Sequence, residues 1–278
     1  TLLDGSAPQL QAAARQAPTP IWQFDWVNLA RTVAGRTTRI PLPAPFTGQP
    51  LHALLFPDDE QAWVCTGERG VLHYQHDQWQ RERRLPEQAC SSLALDAHGQ
   101  LLLGYADGRL RRMGATRIET FDAGHGLSVG PITALLDHQD LLLVAGEAGL
   151  AVRLGNGRFV QVSTDMAGVM EGITGMVADA KGYLWLNGSR GLVRLGSDQL
   201  RRALRSGQPV TPRLFDAVDG MPGIALQSGP ITTTALANDG LLWLATNQGL
   251  AWLDTTRSHV NTMAPSAVSY THLRAHET

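Results

Sequence analysis

The chain has 278 residues and a formal net charge of −2 at pH 7, with 43% hydrophobic and 17% charged residues. This composition is typical of a globular protein with an ample core, and the near-neutral charge excludes a general attraction to nucleic acid or to an acidic membrane surface. No stretch approaches the about eighteen consecutive apolar residues that a membrane-spanning helix needs.

The pattern is least regular in residues 1–50. Leu10 to Gln16 is helix-like, whereas Ile21 to Asn28 and Thr37 to Leu42 have the composition of β-strands. A proline-rich connector, Pro41 to Pro50, follows these strands. We therefore predict that residues 1–50 form a connector and a partial or irregular copy of the repeat that comes next.

From residue 51 onward one pattern recurs five times. A short apolar strand opening with Ile/Leu-Thr/Ala leads through an Asp/Asn-Gly-type turn into a second apolar strand, and Gly-Leu or a related pair begins a third. The glycines of these pairs step by 38, 41, 42 and 58 residues, at Gly70, Gly108, Gly149, Gly191 and Gly249. A period of about forty residues with about four short strands per unit is typical of propeller blades. We predict an all-β fold, a β-propeller fragment of about five to six four-stranded blades within residues 51–260.

The third unit illustrates the four strands of a predicted blade. These are Ile132–Asp137, Leu141–Gly146, Leu150–Leu154 and Arg158–Val162. The second strand is apolar on both faces, which is typical of a sheet that is covered on both sides. Blades that stack around an axis are covered in this way, so the pattern agrees with the period.

The 58-residue step contains an insertion that reads as a short helix. It runs from Ser197, which we expect to cap it, to Gly207, which we expect to end it. Its three arginines are typical of a solvated helix face, so we predict no contact with nucleic acid. Arg213 to Phe215 then forms the outer strand of the blade.

The two cysteines and three of the seven tryptophans are assigned to packing. Cys65 and Cys90 lie in different units, and two buried thiols are favoured over a disulfide, although an oxidising compartment would permit the bridge. Trp185, Trp243 and Trp252 lie within strands, where we expect them to pack between blades.

The last two units resemble the two-component regulator propeller repeat. Asp179 to Leu195 and Asn238 to Asp254 each contain a Leu-Trp-Leu strand, with Trp185 and Trp243, before Gly-Leu and a third strand. The resemblance covers about residues 51–260. In the earlier units the aromatic position is occupied less clearly, by Val64, Leu102 and Leu142, with Trp63 one residue out of register.

The resemblance implies a sensor that is itself not an enzyme. In that family the propeller is the periplasmic part of an inner-membrane signalling protein, usually a histidine kinase and sometimes a diguanylate cyclase. It also implies a dimer in the intact protein, and membrane contact only through missing downstream segments. Residues 261–278 are predicted to be a non-propeller tail. From about residue 266 this tail resembles sequencing-adapter read-through, which marks the chain as a fragment.

A ligand-binding face is expected at one end of the blades, because propeller strands are consumed by packing and loops carry function. The loops between second and third strands share that end with the loops that join one blade to the next. We predict that these loops bind a small molecule or an oligosaccharide, without cofactor, catalytic residue or metal. The candidate ligand-binding residues are Glu68, Arg69, Asp107, His125, Glu147, Glu171, Arg190 and Asn247.

Two other classes of function stay open. A lactonase- or lyase-type propeller enzyme would need acidic and histidine side chains that converge on an axial metal, and the sequence does not assemble such a set. A protein-interaction scaffold would instead bind a partner protein and no small ligand.

Overall fold

A computed structural model describes residues 21–256 apart from residues 25–28, 59 and 230. In this part of the chain, twenty-two strands form six antiparallel sheets, which we name blades 1 to 6 in chain order. The predicted helix at Leu10 to Gln16 and the predicted tail at 261–278 lie outside the described residues.

The first three blades comprise eleven strands. Blade 1 contains β1 (Ile21–Phe24), β2 (Leu29–Val33) and β3 (Arg36–Ile40). Blade 2 contains β4 (Leu51–Leu55), β5 (Ala62–Thr66), β6 (Gly70–Gln75) and β7 (Gln78–Arg81). Blade 3 contains β8 (Ser92–Leu95), β9 (Leu101–Gly104), β10 (Leu110–Met113) and β11 (Ile118–Phe121). In blade 1 the sequence indicated two strands, whereas the structure has three.

The last three blades comprise eleven strands and the α-helix. Blade 4 contains β12 (Ile132–His138), β13 (Leu141–Gly146), β14 (Gly149–Arg153) and β15 (Phe159–Gln161). Blade 5 contains β16 (Gly175–Ala178), β17 (Tyr183–Gly188), β18 (Gly191–Gly196), α1 (Ser197–Ser206) and β19 (Arg213–Phe215). Blade 6 contains β20 (Thr234–Leu236), β21 (Leu241–Thr246) and β22 (Gly249–Asp254).

The sheets are arranged as propeller blades. Strands pair in chain order within every sheet, and the first strands of blades 2 to 6 contact one another in succession, β4 with β8, β8 with β12, β12 with β16 and β16 with β20. First strands therefore surround the axis and last strands lie outside. The predicted all-β propeller is confirmed, with four four-stranded sheets and two three-stranded sheets among the described residues.

The cores lie between blades. Every residue of β13 is buried, and its side chains alternate between two neighbours. Leu143 packs with Leu184 of blade 5, whereas Leu142 packs with Leu102 of blade 3. A strand with an apolar residue on each face is therefore what a stacked blade requires.

Hydroxyl groups at the starts of the inner strands join successive blades. Three of these hydrogen bonds run from Ser91 Oγ to Ile132 O (2.5 Å), from Thr133 Oγ1 to Ile173 O (2.5 Å) and from Thr174 Oγ1 to Leu226 O (2.9 Å). Each bond connects one blade to the first strand of the next blade or to the segment that enters it. The Thr of the repeated Ile-Thr pair thus stabilises the ring.

Thr133→Val tests this role, because valine keeps the shape of threonine and removes the hydroxyl. We expect the free energy of unfolding to fall by about 1 kcal/mol, as is usual for one lost hydrogen bond, measured by urea denaturation. Thr120 lies exposed in β11 without a side-chain hydrogen bond to a described residue, so Thr120→Val is the control. Equal effects of the two changes would contradict the role.

The inserted helix is confirmed, but its start differs from the prediction. Gly207 ends α1 with φ 71°, whereas the N-cap is Gly196, without a side-chain hydrogen bond. Because β18 runs directly into the helix, Ser197 is the first helical residue. Its backbone N–H donates to Gly182 O, and its buried side-chain hydroxyl has no partner among the residues that the structure describes. No helix in the described ranges is long and apolar enough to cross a membrane.

The preference for two free thiols is wrong. Cys65 in β5 and Cys90 before β8 form a disulfide, with their Cα atoms 5.9 Å apart. The separation lies within the usual range for a bridge. It results from blade 2 stacking on blade 3, which the spacing of the cysteines along the chain does not reveal.

Strand pairing corrects two positions of the repeated aromatic residue, and burial corrects one packing assignment. Trp63 pairs with the third residue after the glycine that begins β6, as Trp185 does in β18, so Trp63 is in register. In blade 4 the equivalent residue is Leu143, not Leu142. Inter-blade packing is confirmed for the fully buried Trp185 and is wrong for Trp252, whose surface is 63% exposed on the last described strand of blade 6.

Candidate functional site

A cavity of about 220 Å³ lies on the axis, among the starts of the inner strands. Blades 2 to 6 each contribute one polar residue to its wall from the same repeat position. These residues are His52, Ser91, Thr133, Thr174 and Thr232. The repeat thus builds a ring of four hydroxyls and one imidazole.

The lining of the axial cavity is polar but uncharged. Ser92, Gln227 and Ser228 add further hydrogen-bonding groups, whereas no Asp, Glu, Lys or Arg of the described chain lines the cavity. Leu54 and Leu93 supply apolar surface beside them. A pocket with neutral donors and acceptors and apolar patches suits a neutral, hydroxyl-bearing ligand.

One wall of the cavity comes from the segment that enters blade 6. Its Gln227 Nε2 donates to Gly172 O and to Ala225 O, both at 3.1 Å. Leu226 O accepts the hydrogen bond of Thr174 described above. This wall is therefore fixed to blade 5 by hydrogen bonds on both sides of Leu226.

One hydroxyl of the cavity has no partner in the described structure. Ser92 Oγ is buried, and Ser92 is the first residue of β8. A buried hydroxyl without a hydrogen bond costs about 1–3 kcal/mol, so such groups usually meet a ligand or a water molecule. This hydroxyl, however, lies against Gly104 and Ile132 between blades 3 and 4 and has no surface open to the cavity. Thr232, which is exposed in the cavity wall, is therefore the hydroxyl best placed to bind a ligand.

The eight predicted site residues are all exposed, and none lines the axial cavity. Six lie in the turns between second and third strands, and two lie in connections between blades. The turn residues are Glu68, Arg69, Asp107, Glu147, Arg190 and Asn247. The connection residues are His125 and Glu171. These turns share one end of the blades with the starts of the inner strands.

The structure brings three of the eight together between blades 4 and 5. Gly172 N donates to Glu147 O at 3.3 Å, which places the Glu147 turn beside Glu171. A Cβ on Gly168 would lie 3.6 Å from Glu171 Oε2 and 3.8 Å from Arg190 Nη1. The Glu171 carboxylate and the Arg190 guanidinium thus approach the same backbone position.

Three other predicted residues are engaged locally. Asp107 pairs with Arg109, and the hydrogen bonds from Arg109 lower the pKa of Asp107. His125 Nδ1 lies 2.9 Å from the Asp122 carboxylate, which caps a 3-10 helix, and this contact lowers the pKa of Asp122. Asn247 Oδ1 accepts a 3.1 Å hydrogen bond from the loop that enters blade 6. Their side chains therefore support loop structure.

Sequence reasoning missed the residues of the axial cavity. The sequence does contain a pattern that marks them, because an Ile-Thr pair recurs at the repeat period where several inner strands begin. The pattern was interpreted as the opening of an apolar strand. A polar residue that recurs once per blade beside the innermost strand is, however, brought to the axis in every blade.

Comparison with solved structures shows that the propeller fold is shared. No protein-family model matches the chain, and no curated protein is similar to it in sequence. The extracellular domain of BT4673, a proposed one-component or hybrid two-component system of B. thetaiotaomicron, is 17% identical over 94% of this chain and 33% of its own, with a TM-score of 0.67. That of BT3049, a proposed hybrid two-component system of the same organism, is 14% identical over 85% and 32%, also with a TM-score of 0.67.

A streptogramin B lyase structure is also similar. It is 12% identical over 85% of this chain and 76% of its own, with a TM-score of 0.60. At these identities the likeness shows the fold, which agrees with the resemblance indicated by the repeats. The chain spans about one third of the length of the two extracellular domains. In residues 21–256, outside the gaps, no group of three or more His, Cys, Asp or Glu side chains could hold a metal ion.

Proposed function

We propose that the chain is the extracytoplasmic, ligand-sensing propeller of a bacterial membrane-bound signal-transduction protein of the sensor histidine kinase type. The axial cavity with its uncharged polar wall is the observation that carries this proposal. The fold shared with two extracellular domains of proposed one- or two-component systems supports it. A diguanylate cyclase is the alternative output. In either case the intact protein is a dimer, and it contacts the membrane through segments outside this chain.

The proposed ligand is a neutral, hydroxyl-rich molecule such as an oligosaccharide. Ser91 and Thr133 already donate their hydroxyl protons to backbone carbonyls, so their oxygen atoms remain available as acceptors. Thr232 is exposed, and its hydroxyl can both donate and accept. Leu54 and Leu93 offer apolar surface to the face of a sugar ring.

The exposed residues of the same end would bind the parts of the ligand that extend out of the cavity. Glu68, Arg69, Glu147, Glu171 and Arg190 are the residues that we propose for this role. Arginine is suited to it because its planar guanidinium donates several hydrogen bonds in a fixed geometry. Asp107, His125 and Asn247 would take part at the edges of this surface.

Ligand binding would couple to signalling through the inner strands. A ligand that contacts several blades at the axis favours the arrangement of blades that binds it better, and this preference shifts the population of conformations. Because Ser91, Thr133 and Thr174 also hold neighbouring blades together, contacts at the axis act directly on inter-blade geometry.

Thr232→Val tests the axial site, because valine keeps the shape of threonine and removes the hydroxyl. In a screen of neutral glycans and small metabolites by thermal shift, we expect a glycan to raise the melting temperature of the wild-type chain. Thr232→Val should weaken its binding about tenfold, equivalent to about 1.4 kcal/mol, because a hydrogen bond to the ligand is lost. Isothermal titration calorimetry measures the affinity.

The control is Thr120→Val, since Thr120 is exposed in β11 and lies outside the cavity. Arg69→Gln and Arg190→Gln should weaken binding of longer glycans without lowering thermal stability. Binding that is unchanged by Thr232→Val would place the ligand elsewhere. Binding unchanged by both arginine substitutions would remove these residues from the proposed surface.

A propeller enzyme of the lyase type is the second candidate, and the similarity to streptogramin B lyase over 76% of that chain favours it. We expect incubation with streptogramin B to give no product by mass spectrometry. Turnover, or a stoichiometric divalent metal in the purified protein, would favour the enzyme over the sensor.

A further inference from the structure

In the interface between blades 5 and 6, a tryptophan fills the space beside the turn that joins the first and second strands of blade 5. Trp185 is fully buried there, against Leu242 and Leu253 of blade 6. Its indole Nε1 donates to Asp179 Oδ2 at 2.8 Å. Asp179 Oδ1 accepts from two backbone N–H groups at 2.9 Å. Both oxygens of the buried carboxylate therefore have partners.

Blade 3 repeats this arrangement without the tryptophan. Asp96 Oδ1 accepts from two backbone N–H groups at 2.9 Å and 2.8 Å, as Asp179 does. Leu102 takes the place of Trp185, so no indole reaches Asp96 Oδ2. This oxygen is buried without a hydrogen bond to any described residue, and Arg112 Nη1 lies 3.9 Å away. The Asp96 side chain is only 3% exposed.

A cleft of about 190 Å³ lies between blades 3 and 4 at this place. Its wall includes Asp96 and Arg112 from blade 3 and Leu142 and Arg153 from blade 4. Arg153 is the fourth residue after the glycine that begins its strand, the position that Leu253 has in blade 6. Trp185 and Leu253 fill this space between blades 5 and 6. Between blades 3 and 4 the equivalent space is open and lined by charged side chains.

The basic side of the cleft has an incompletely paired cation. Arg153 Nε is buried without a hydrogen bond in the described part of the chain, and the guanidinium lies 5.1 Å from the centre of the Phe121 ring. Arg153 makes no ion pair with any residue that the structure describes, whereas Arg112 pairs with Glu119. Burial, followed by repulsion from Arg112, lowers the pKa of Arg153.

The acidic side offers carboxylate oxygens across the same cleft. Besides Asp96, the wall includes Asp137 and the exposed Asp140. Asp137 Oδ2 accepts from Ala97 N at 2.8 Å, which leaves its other oxygen available. A ligand with a negative charge alone would meet three carboxylates, and one with a positive charge alone would leave Arg153 unpaired. Charge complementarity therefore requires both signs in one small molecule.

We propose that this cleft binds a small zwitterion of the α-amino-acid class, with its carboxylate on Arg153 and its ammonium group on Asp96 and Asp137. The side chain of the ligand would lie toward Leu142, where the repeat elsewhere places its tryptophan. The cleft lies at the end of the blades opposite the axial cavity, because turns between first and second strands form its floor. It is therefore a second site, independent of the proposed sensor ligand.

The test is an NMR titration with three matched probes at millimolar concentration: L-alanine, propionate and ethylamine. Propionate lacks the ammonium group of alanine, and ethylamine lacks its carboxylate. We expect L-alanine to bind and each of the other two to bind about tenfold more weakly or worse. Titration with each of the other amino acids then identifies the ligand side chain that the cleft binds most tightly. The proposal is overturned if no amino acid in the panel binds, or if propionate or ethylamine binds as well as alanine.

Two variants locate the binding. Arg153→Leu installs the residue that blade 6 has at this position, and Leu102→Trp supplies the missing indole to Asp96 and fills the cleft. Each should weaken amino-acid binding about tenfold or more while keeping the melting temperature at or above that of the wild type. If Leu102→Trp does not fold, Arg153→Leu decides alone.

The matched control is Arg158→Leu, since Arg158 is exposed in the same blade and lies outside the cleft. Thr232→Val in the axial cavity should also leave amino-acid binding unchanged, which separates the two sites. Wild-type affinity in Arg153→Leu would contradict the proposal.

Discussion

Reduction of the Cys65–Cys90 disulfide is expected to lower the free energy of unfolding by about 3 kcal/mol. The bridge joins residues 25 positions apart and connects β5 of blade 2 to the segment that enters β8 of blade 3. Cutting it restores conformational freedom to the unfolded chain, and the loss of stability grows slowly with the length of the closed loop. Urea denaturation of the oxidised and the reduced wild type measures the difference.

The oxidised and reduced proteins differ only at this bridge, because the chain has two cysteines and both take part in it. The double variant Cys65→Ala/Cys90→Ala should be no more stable than the reduced wild type. Equal denaturation midpoints for oxidised and reduced protein would contradict the assignment of this bridge as a stabilising connection between blades 2 and 3.

Trp185→Ala is expected to destabilise the chain by about 4 kcal/mol, at the upper end of the range for a large core side chain. Trp185 is fully buried between blades 5 and 6, so the change leaves a cavity there. It also removes the hydrogen-bond donor of Asp179 Oδ2, which would leave a buried carboxylate oxygen without a partner. The midpoint of urea denaturation reports the loss.

Trp252→Ala is the matched control, because this tryptophan also lies in a strand, β22 of blade 6, but is 63% exposed. We expect a change of less than about 0.5 kcal/mol, as is usual for surface substitutions. Comparable losses for the two variants would mean that burial between blades does not decide the contribution of these tryptophans.

The sequence predicted what depends on local pattern. Leu141–Gly146 was predicted with the bounds that β13 has, and the end of α1 at Gly207 was also correct. Both follow from short-range signals, an apolar run between turns and a glycine that accepts positive φ. The start of α1 was wrong because the strand before Ser197 continues into the helix, and no local signal marks that continuity.

Contacts between blades could not be predicted from any single repeat. The Cys65–Cys90 bridge and the correct register of Trp63 both depend on how one sheet pairs and stacks on the next. The cleft beside Asp96 depends on which residue stands at Leu102 in its own blade and at Arg153 in the following one. These pairs are far apart in sequence, and they become neighbours only when the ring forms.

In the candidate site, too, residue type could be read from the sequence, whereas position relative to the other blades could not. Asp107 and His125 were predicted to bind ligand because carboxylate and imidazole groups often do so. In the structure, local hydrogen bonds engage both side chains. Ser92 and Thr133 are common residues at strand starts, and their position beside the axis makes them cavity residues. Repeat position therefore indicates the axial site better than residue type does.

The central claim is that the axial cavity binds a neutral, hydroxyl-rich ligand. The most direct measurement is a crystal structure of the chain with the glycan that raises its melting temperature most. We predict the glycan on the axis, hydrogen-bonded to Thr232 and in contact with the starts of β8 and β12. A glycan bound only on the outer strands, with the axial cavity holding nothing but water, would contradict the account.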